Sequence, residues 1–248
     1  MKIIPLSEGS FTIDHTKVFL PFDTEKDDLQ QRTRGSLLVE IQPFLVETKR
    51  DLILLDTGLG FSRHGVLQLY NNLALFGYSP EDITMVLMSH LHRDHAGGIA
   101  VADSYTGLSH LSFPHADHFI NEKELDFALH AGNPSYDAER LSILEGNDKV
   151  KLVGDQGMIS GYIRHELSGG HSPFHQVFWI REENEVVFFG GDEAPQLQQM
   201  KTRFVAKYDH DGKRAMELRQ AWWEIAAHEH WKLLFYHDIQ TPVYAASE

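Results

Sequence analysis

Residues 83 to 98 read Ile83-Thr84-Met85-Val86-Leu87-Met88-Ser89-His90-Leu91-His92-Arg93-Asp94-His95-Ala96-Gly97-Gly98. The run from Ile83 to Met88 has the length and composition of a buried strand. Directly after it, three histidines and one carboxylate fall within six residues, and a glycine pair follows. In an extended segment, side chains at i and i+2 point the same way, so His90 and His92 can reach one ion from a strand-end loop. Asp94 and His95 lie in the next turn. Four such ligands need not share one ion, and dividing them over two ions a few ångströms apart is the natural solution. Imidazole and carboxylate without sulfur suit Zn(II), and also Fe(II), Mn(II) or Co(II). The competing reading is a solvated histidine-rich loop, which the placement between a buried strand and Gly97-Gly98 disfavours.

Outward from this stretch, the chain alternates short apolar runs with turn signals. Leu37 to Ile41, Phe44 to Thr48 and Leu52 to Leu55 read as adjacent strands, the last buried on both faces. Phe11 to Phe22 reads as a hairpin, and Asp23 to Arg34 as a polar loop. Arg63 to Phe76 predicts a helix, and Ser79 to Asp82 a turn. Leu108 to Phe113 predicts a strand. Asp117 to His130 predicts a helix, stopped by Ala131-Gly132-Asn133-Pro134. Residues 135 to 160 are the least regular, with a short helix expected at Ala138 to Leu144. Gly161 to Leu167, His175 to Ile180, Val186 to Phe189 and Leu233 to Tyr236 are expected strands, and Gly212 to Glu229 an amphipathic helix. No repeat or linker interrupts the chain. The economical architecture is a two-sheet sandwich with outer helices.

Composition limits the function. Across 248 residues the chain is 42% hydrophobic and 23% charged, an ordinary globular balance. Its formal net charge of -14 disfavours phosphate-backbone binding, which needs clustered Lys and Arg, and also disfavours docking on anionic membranes. An anionic small substrate stays open, because a metal ion reverses the local field. With no cysteine there are no disulfides, thiolate ligands or thiol nucleophile. That fits the cytoplasm, as does the lack of a signal-peptide pattern at the N-terminus. No apolar run approaches the roughly 20 residues of a membrane span.

Two ions need more ligands than the first cluster holds. His171, in Ser168-Gly169-Gly170-His171, follows an expected strand, as do Asp192, in Gly190-Gly191-Asp192, and His237, after Tyr236. Each alone has a plain reading as turn, cap or surface residue; with the first cluster, the three complete a site. Of the other histidines, His175 is expected to pack or to orient a ligand. His115 and His118 are expected at the surface or as caps, and His228 and His230 at a helix end. Trp222, Trp223 and Trp231 are expected to pack in the core.

These residues together resemble the metallo-β-lactamase superfamily over nearly the whole chain. Asp56-Thr57-Gly58 matches its early Asp motif, and His90-Leu-His92-Arg-Asp94-His95 its H-x-H-x-D-H signature. Gly170-His171-Ser172-Pro173, Gly191-Asp192 and Tyr236-His237 match the later motifs in order. The resemblance implies a four-layer αββα sandwich of the α/β class, as one metallo-hydrolase domain over residues 1–248, with the metals at one edge. It implies His90, His92 and His171 as ligands of one ion, Asp94, His95 and His237 as ligands of a second, and Asp192 as the bridging carboxylate. Asp56 would orient a ligand histidine. The cofactors would be two divalent ions, Zn2+ first, with Fe2+ or Mn2+ as alternatives.

His92 stands where the diiron redox branch commonly carries Glu, which points to hydrolysis. A water between two cations deprotonates near neutral pH and becomes a nucleophile, with Asp94 as the catalytic group that orients it or shuttles a proton. The resemblance is to lactonase-like and glyoxalase II-like branches, hence a hydrolase of a small ester, lactone or thioester. Two departures stand out. Glu193-Ala194-Pro195-Gln196 lacks the tyrosine that lactonases usually carry after the bridging Asp, and Phe174 breaks the Thr-Pro-Gly-His form usual in glyoxalase II. Alternatives are a phosphodiesterase or nuclease on the same scaffold, and a metal-binding or redox-partner module without hydrolysis. The expected partner is a small molecule, without nucleic acid or membrane; oligomeric state is not legible. Residues 131–160 are expected to shape substrate access. Exchange of that segment should change substrate preference in a panel assay and leave bound metal, read by elemental analysis, unchanged.

Overall fold

The computed structural model of the chain describes residues 1–102, 106–132 and 134–247. Alternation along each strand builds the layers. Phe44, Val46, Ile53, Leu55, Met85 and Leu87 from one six-stranded sheet meet Phe178, Ile180, Val187, Phe189 and Leu234 from another in a shared core. The intervening residues point outward. Leu45, Leu54 and Val86 pack against Leu69, Leu73, Leu125 and Leu141 on one outer face. Val177, Trp179, Phe188 and Leu233 pack against Trp222 and Ala226 of the Gly212–Glu229 helix on the other. Period-two apolar residues buried on both sides of each sheet explain why these strands read as continuous apolar runs. The result is the expected αββα sandwich.

The first sheet runs Lys2–Pro5, Phe44–Glu47, Leu52–Leu55, Met85–Leu87, Asp117–Asn121, Val150–Val153. Its last three neighbouring pairs are parallel. The second runs Gln156–Ile159, Ile163–Leu167, Gln176–Glu182, Glu185–Phe189, Lys232–Leu234, Val243–Ala245. A three-stranded sheet of Leu20–Pro21, Gly9–Ile13 and Leu37–Ile41 flanks them, which is the expected hairpin with one added strand. Gln176 joins the two large sheets near the site: its backbone N–H donates to Ser89 O and its side-chain amide to Met88 O, both at 2.9 Å.

Several expected elements differ. Asp117 to His130 is two elements, a parallel strand Asp117–Asn121 and a helix Glu122–His130. The Asn121 side chain accepts from Lys123 N and Glu124 N and so starts the helix there. His118 is therefore fully buried in a strand rather than at the surface, whereas His115 is exposed, as expected. Asn133, in the expected helix stop, lies outside the described residues. Arg63 to Leu67 forms a small hairpin, because His64 and Gly65 take positive φ of 52° and 80°; the helix begins at Gln68. Residues 135–160 contain two edge strands, Val150–Val153 and Gln156–Ile159, so only the stretch before Val150 can be exchanged without removing part of a sheet. Half-exposed edge strands bury too little apolar surface to show a pattern.

The short helix Arg93–Ala96 packs end-on against residues 57–60. A Cβ at Gly98 would overlap the Thr57 carbonyl oxygen, and one at Gly97 the Leu59 carbonyl. The glycine pair thus permits two backbones to touch. Gly98→Ala should lower unfolding free energy by about 2 kcal/mol or more in urea titrations, as overpacking against backbone does. Gly154→Ala, where a Cβ meets nothing within 4 Å, should change it by less than about 0.5 kcal/mol.

Candidate metal centre

Every expected site residue lies on a loop leaving the same edge of the sandwich. Asp56 follows Leu52–Leu55 directly, in a left-handed conformation (φ 57°) rare for a non-glycine residue. His90 and His92 follow Met85–Leu87 on extended backbone, and Leu91 between them is buried in the core. His92 precedes the helical turn that carries Asp94 and His95. His171 comes four residues after Ile163–Leu167. Asp192 sits in a 3-10 turn after Glu185–Phe189, and His237 lies just past Lys232–Leu234.

The side chains gather into two sets. His90 Nε2 is 2.9 Å from His92 Nδ1, which is 3.1 Å from His171 Nε2. Asp94 Oδ2 is 3.8 Å from His95 Nε2 and 3.5 Å from His237 Nε2. Within each set the donor atoms lie within 4.8 Å of one another, the spread expected of atoms about 2.0–2.2 Å from a common ion. Asp192 stands between them. Its Oδ2 is 3.2 Å from His171 Nε2, while its Oδ1 is 3.1 Å from His95 Nε2 and 2.9 Å from His237 Nε2.

Polar atoms without partners test whether an ion fits. His95 Nε2 and Asp192 Oδ1 are buried and neither makes a hydrogen bond, although they are 3.1 Å apart. They converge on shared space instead of bonding each other. Buried polar groups are ordinarily paired, so this convergence, with a donor set of imidazole and carboxylate alone, fits divalent cations. Asp56 belongs to a third close group with His90 and His95, but its oxygens are taken. Oδ1 accepts from Ser89 N, and Oδ2 from Ser89 Oγ and His95 Nδ1, each at 2.7 Å. Asp56 therefore holds the His95 ring.

The other ring nitrogens set the histidine tautomers. His90 Nδ1 contacts Ser89 Oγ at 3.0 Å, His171 Nδ1 donates to Asp209 Oδ1 at 2.9 Å, and His237 Nδ1 donates to Glu40 O at 2.7 Å. That leaves the Nε2 lone pairs of His90, His95, His171 and His237 for the centre. His175 holds the bridge by its backbone: Asp192 N donates to His175 Nε2 at 3.1 Å, and His175 Nδ1 contacts Ser168 Oγ at 2.9 Å. Tyr236 stacks on His95 with ring centres 4.0 Å apart and donates its hydroxyl to Asp94 O at 2.6 Å.

Electrostatics divide the histidines differently, by their nearness to Asp192. Burial, then neighbouring histidines, push His90 and His175 well below the ordinary imidazole range, and burial with His171 does so for His92. These shifts favour the neutral imidazole, the form in which His90 and His92 could ligate an ion. Burial also opposes charge on His95, His171 and His237, but Asp192 outweighs it and raises all three. Burial opposes the Asp192 carboxylate too, and His237, His95 and His171 overcome it, holding Asp192 well below its usual range.

Four contributors escaped the sequence reading. Glu124 accepts from Leu91 N at 2.9 Å, between the two first-set histidines, and from Tyr136 Oη at 3.2 Å. Glu193 accepts from Gly170 N at 2.7 Å and His171 N at 2.6 Å. Its position beside Asp192 was the one available signal. Asp209 offered none, because its contact with His171 spans 38 residues of chain. Tyr208, absent from the 193–196 segment, reaches the site from another loop, its ring 6.1 Å from that of His171.

The chain belongs to the metallo-beta-lactamase superfamily, whose family model matches residues 40–237. Among curated relatives, the N-acyl homoserine lactonase AiiA of Bacillus thuringiensis subsp. kurstaki is 28% identical over 172 residues, covering 61% of this chain. The chain spans 62% of the length of that relative. An N-acyl homoserine lactonase of Bacillus cereus is 26% identical over 231 residues, covering 84% of this chain and 85% of the relative. The fold is shared with a probable metal-dependent hydrolase from Staphylococcus aureus at a TM-score of 0.80 and 22% identity, covering 99% of this chain and 92% of that one. The dizinc quorum-quenching lactonase AidC matches at a TM-score of 0.74 and 22% identity, covering 99% and 90%.

Asp192→Ala, which removes the carboxylate between the sets, should lower bound metal in elemental analysis from two ions per chain to one or fewer. His92→Ala should lose one. A wild-type protein holding only trace metal would contradict the site.

Stability should also depend on pH through Glu8, which accepts from Leu59 N at 2.6 Å. Burial, only partly offset by hydrogen bonds from Leu59 and Gly60, pushes its carboxyl from 4.5 to about 7. The folded state then binds the proton more tightly than the unfolded chain, so this contribution is complete below pH 4.5 and is lost as pH rises to about 7. Over that window Glu8→Gln should spare about 3 kcal/mol of the loss seen in wild type, measured by denaturant titration at each pH.

Proposed function

We propose that this protein is a dinuclear metal hydrolase whose substrate is a small lactone of the N-acyl homoserine type. The observation that carries the reading is the division of Asp192, one oxygen toward His171 and the other toward His95 and His237. A carboxylate so placed would bridge two ions, with His90, His92 and His171 holding one and Asp94, His95 and His237 the other. The lactone is favoured over other esters and thioesters by the activity named for the curated relatives. Zinc is the favoured ion, supported by the all-imidazole and carboxylate donor set and by the dizinc relative in fold.

When bound, the ions polarise the substrate carbonyl and bring a coordinated water to a pKa near neutral. The chain's own residues do the rest. Ser89, Asp56, Asp209 and Glu40 O hold the ring nitrogens that do not face the centre, so the ligands are preorganised. Asp94 keeps part of its side chain, 14%, open to solvent, and its main chain is fixed by Tyr236. Its carboxylate would take a proton from the attacking water and return it to the oxygen that leaves. No Ser, Cys or Lys nucleophile is required. The net charge of -14 argues against a phosphodiester backbone as substrate. The seven-ligand set argues against a module that merely stores metal.

Among the described residues no helix is long and apolar enough to cross a membrane. Zn-, Mn- and Fe-loaded protein should be assayed against N-acyl homoserine lactones, aryl esters, glutathione thioesters and phosphodiesters. Lactone ring opening, followed by acid release in a pH-stat, should be the fastest turnover, and Asp94→Asn should lower it by at least 100-fold. Faster phosphodiester or thioester cleavage would overturn the assignment.

A further inference from the structure

Behind the first metal set lies a buried polar assembly in which an arginine is the central element. Arg219, on the Gly212–Glu229 helix, is fully buried and is the largest fully buried side chain. Its guanidinium forks between two carbonyls: Nη1 donates to Glu193 O at 2.8 Å and Nη2 to Phe204 O at 2.6 Å. Glu193 is the neighbour of Asp192, and its carboxylate holds the backbone N–H groups of Gly170 and His171. Phe204 begins the segment that reaches Asp209, whose Oδ1 orients the His171 ring. That segment is tied to the His171 loop twice more, by His210 N to His171 O at 3.0 Å and Asp211 N to Gly170 O at 2.7 Å.

Two further polar atoms belong to the assembly, and charge acts on it at longer range. Arg219 Nε and Asp209 Oδ2 are both buried without a hydrogen-bond partner. Burial opposes the Arg219 charge, and the carboxylates of Asp209 and Glu193 are the leading groups that support it. The second metal set is held by different means. Its His95 is oriented by Asp56 and its His237 by Glu40 O, neither of which bonds Arg219. Asp192 N is held separately by His175.

We propose that Arg219 and Asp209 form a positioning unit that orients His171 and so sets the affinity of the His90–His92–His171 set, without acting on the Asp94–His95–His237 set. This rests on the two-ion reading above. Lysine cannot replace the arginine, since a single ammonium lacks the planar fork that spans both carbonyls.

The test isolates each set. His95→Ala leaves only the first set complete, and His90→Ala only the second. Zn2+ affinity is measured by chelator competition in both backgrounds, with and without Arg219→Lys, and Co2+-loaded protein gives the absorption spectrum of the remaining site. Arg219→Lys should weaken binding 10- to 100-fold in the His95→Ala background and shift its Co2+ spectrum, and change neither in the His90→Ala background. Equal weakening in both backgrounds, or none in the first, overturns the proposal. If Arg219→Lys does not fold by circular dichroism, Asp209→Ala in the same two backgrounds decides by the same criteria. Wild-type protein that fails to hold two ions would sink the two-ion reading itself, a result distinct from either outcome.

Discussion

Buried carboxylates that accept main-chain N–H groups hold the ligand loops in place. Glu8 accepts from Leu59, Asp56 from Ser89, Glu124 from Leu91, and Glu193 from Gly170 and His171. Each bond fixes backbone within two residues of a site residue or of the Asp56-Thr57-Gly58 turn. Hydrogen bonds to an ionised acceptor are short and strong, and in a buried setting they are directional enough to hold a loop that no sheet ladder reaches. The arrangement carries a cost. Burial, the leading cause in each case, pushes Glu8, Glu124 and Glu193 up to about 7, so without opposing charge these groups drift toward neutrality. Divalent ions held at the two sets would supply opposing charge, since a bound cation reverses the local pKa preference. Metal binding would thereby be coupled to loop order through the same carboxylates.

The same picture explains how an acidic chain gathers these histidines and carboxylates at one edge. The sandwich delivers Asp56, the His90–His95 loop, His171, Asp192 and His237 from successive strand ends to one edge. Packing then fixes what the strand ends leave free. Leu91 buries between His90 and His92, Tyr236 stacks on His95, and the Thr57 N–H and hydroxyl hold the His95 carbonyl at 2.7 and 3.0 Å. The closeness of that last contact requires Gly97 and Gly98, which ties the early Asp motif to the histidine cluster by sterics as well as by hydrogen bonds.

Much of this was legible from residue order. Strands buried on both faces announce themselves as apolar runs, and His90, His92, Asp94, His95, His171, Asp192 and His237 all stood at or just beyond such runs. Elements with weaker burial did not. The Asp117–Asn121 strand merged with the helix behind it, because Asp117, His118 and Asn121 break its apolar run and its Phe119 and Ile120 also suit a helix face. The edge strands Val150–Val153 and Gln156–Ile159 expose Leu152 and Met158 and showed no alternation to read. His118 was misplaced for the same reason: a lone histidine carries no sign of whether a sheet will cover it.

The linear chain thus specified its layers, its family and the ligand types, because period-two burial and ligand spacing are local properties that survive in one dimension. Within the opening stretch, it specified that His90 and His92 share a face and that Asp94 and His95 turn away from it. What holds those ligands was settled only by folding. Glu124 reaches Leu91 across 33 residues, Asp209 reaches His171 across 38, and Arg219 reaches Glu193 across 26. Contacts at such separations depend on how helices and loops dock on the sheets, and buried charge becomes favourable only when docking brings its partners together. No spacing rule within a single segment encodes them.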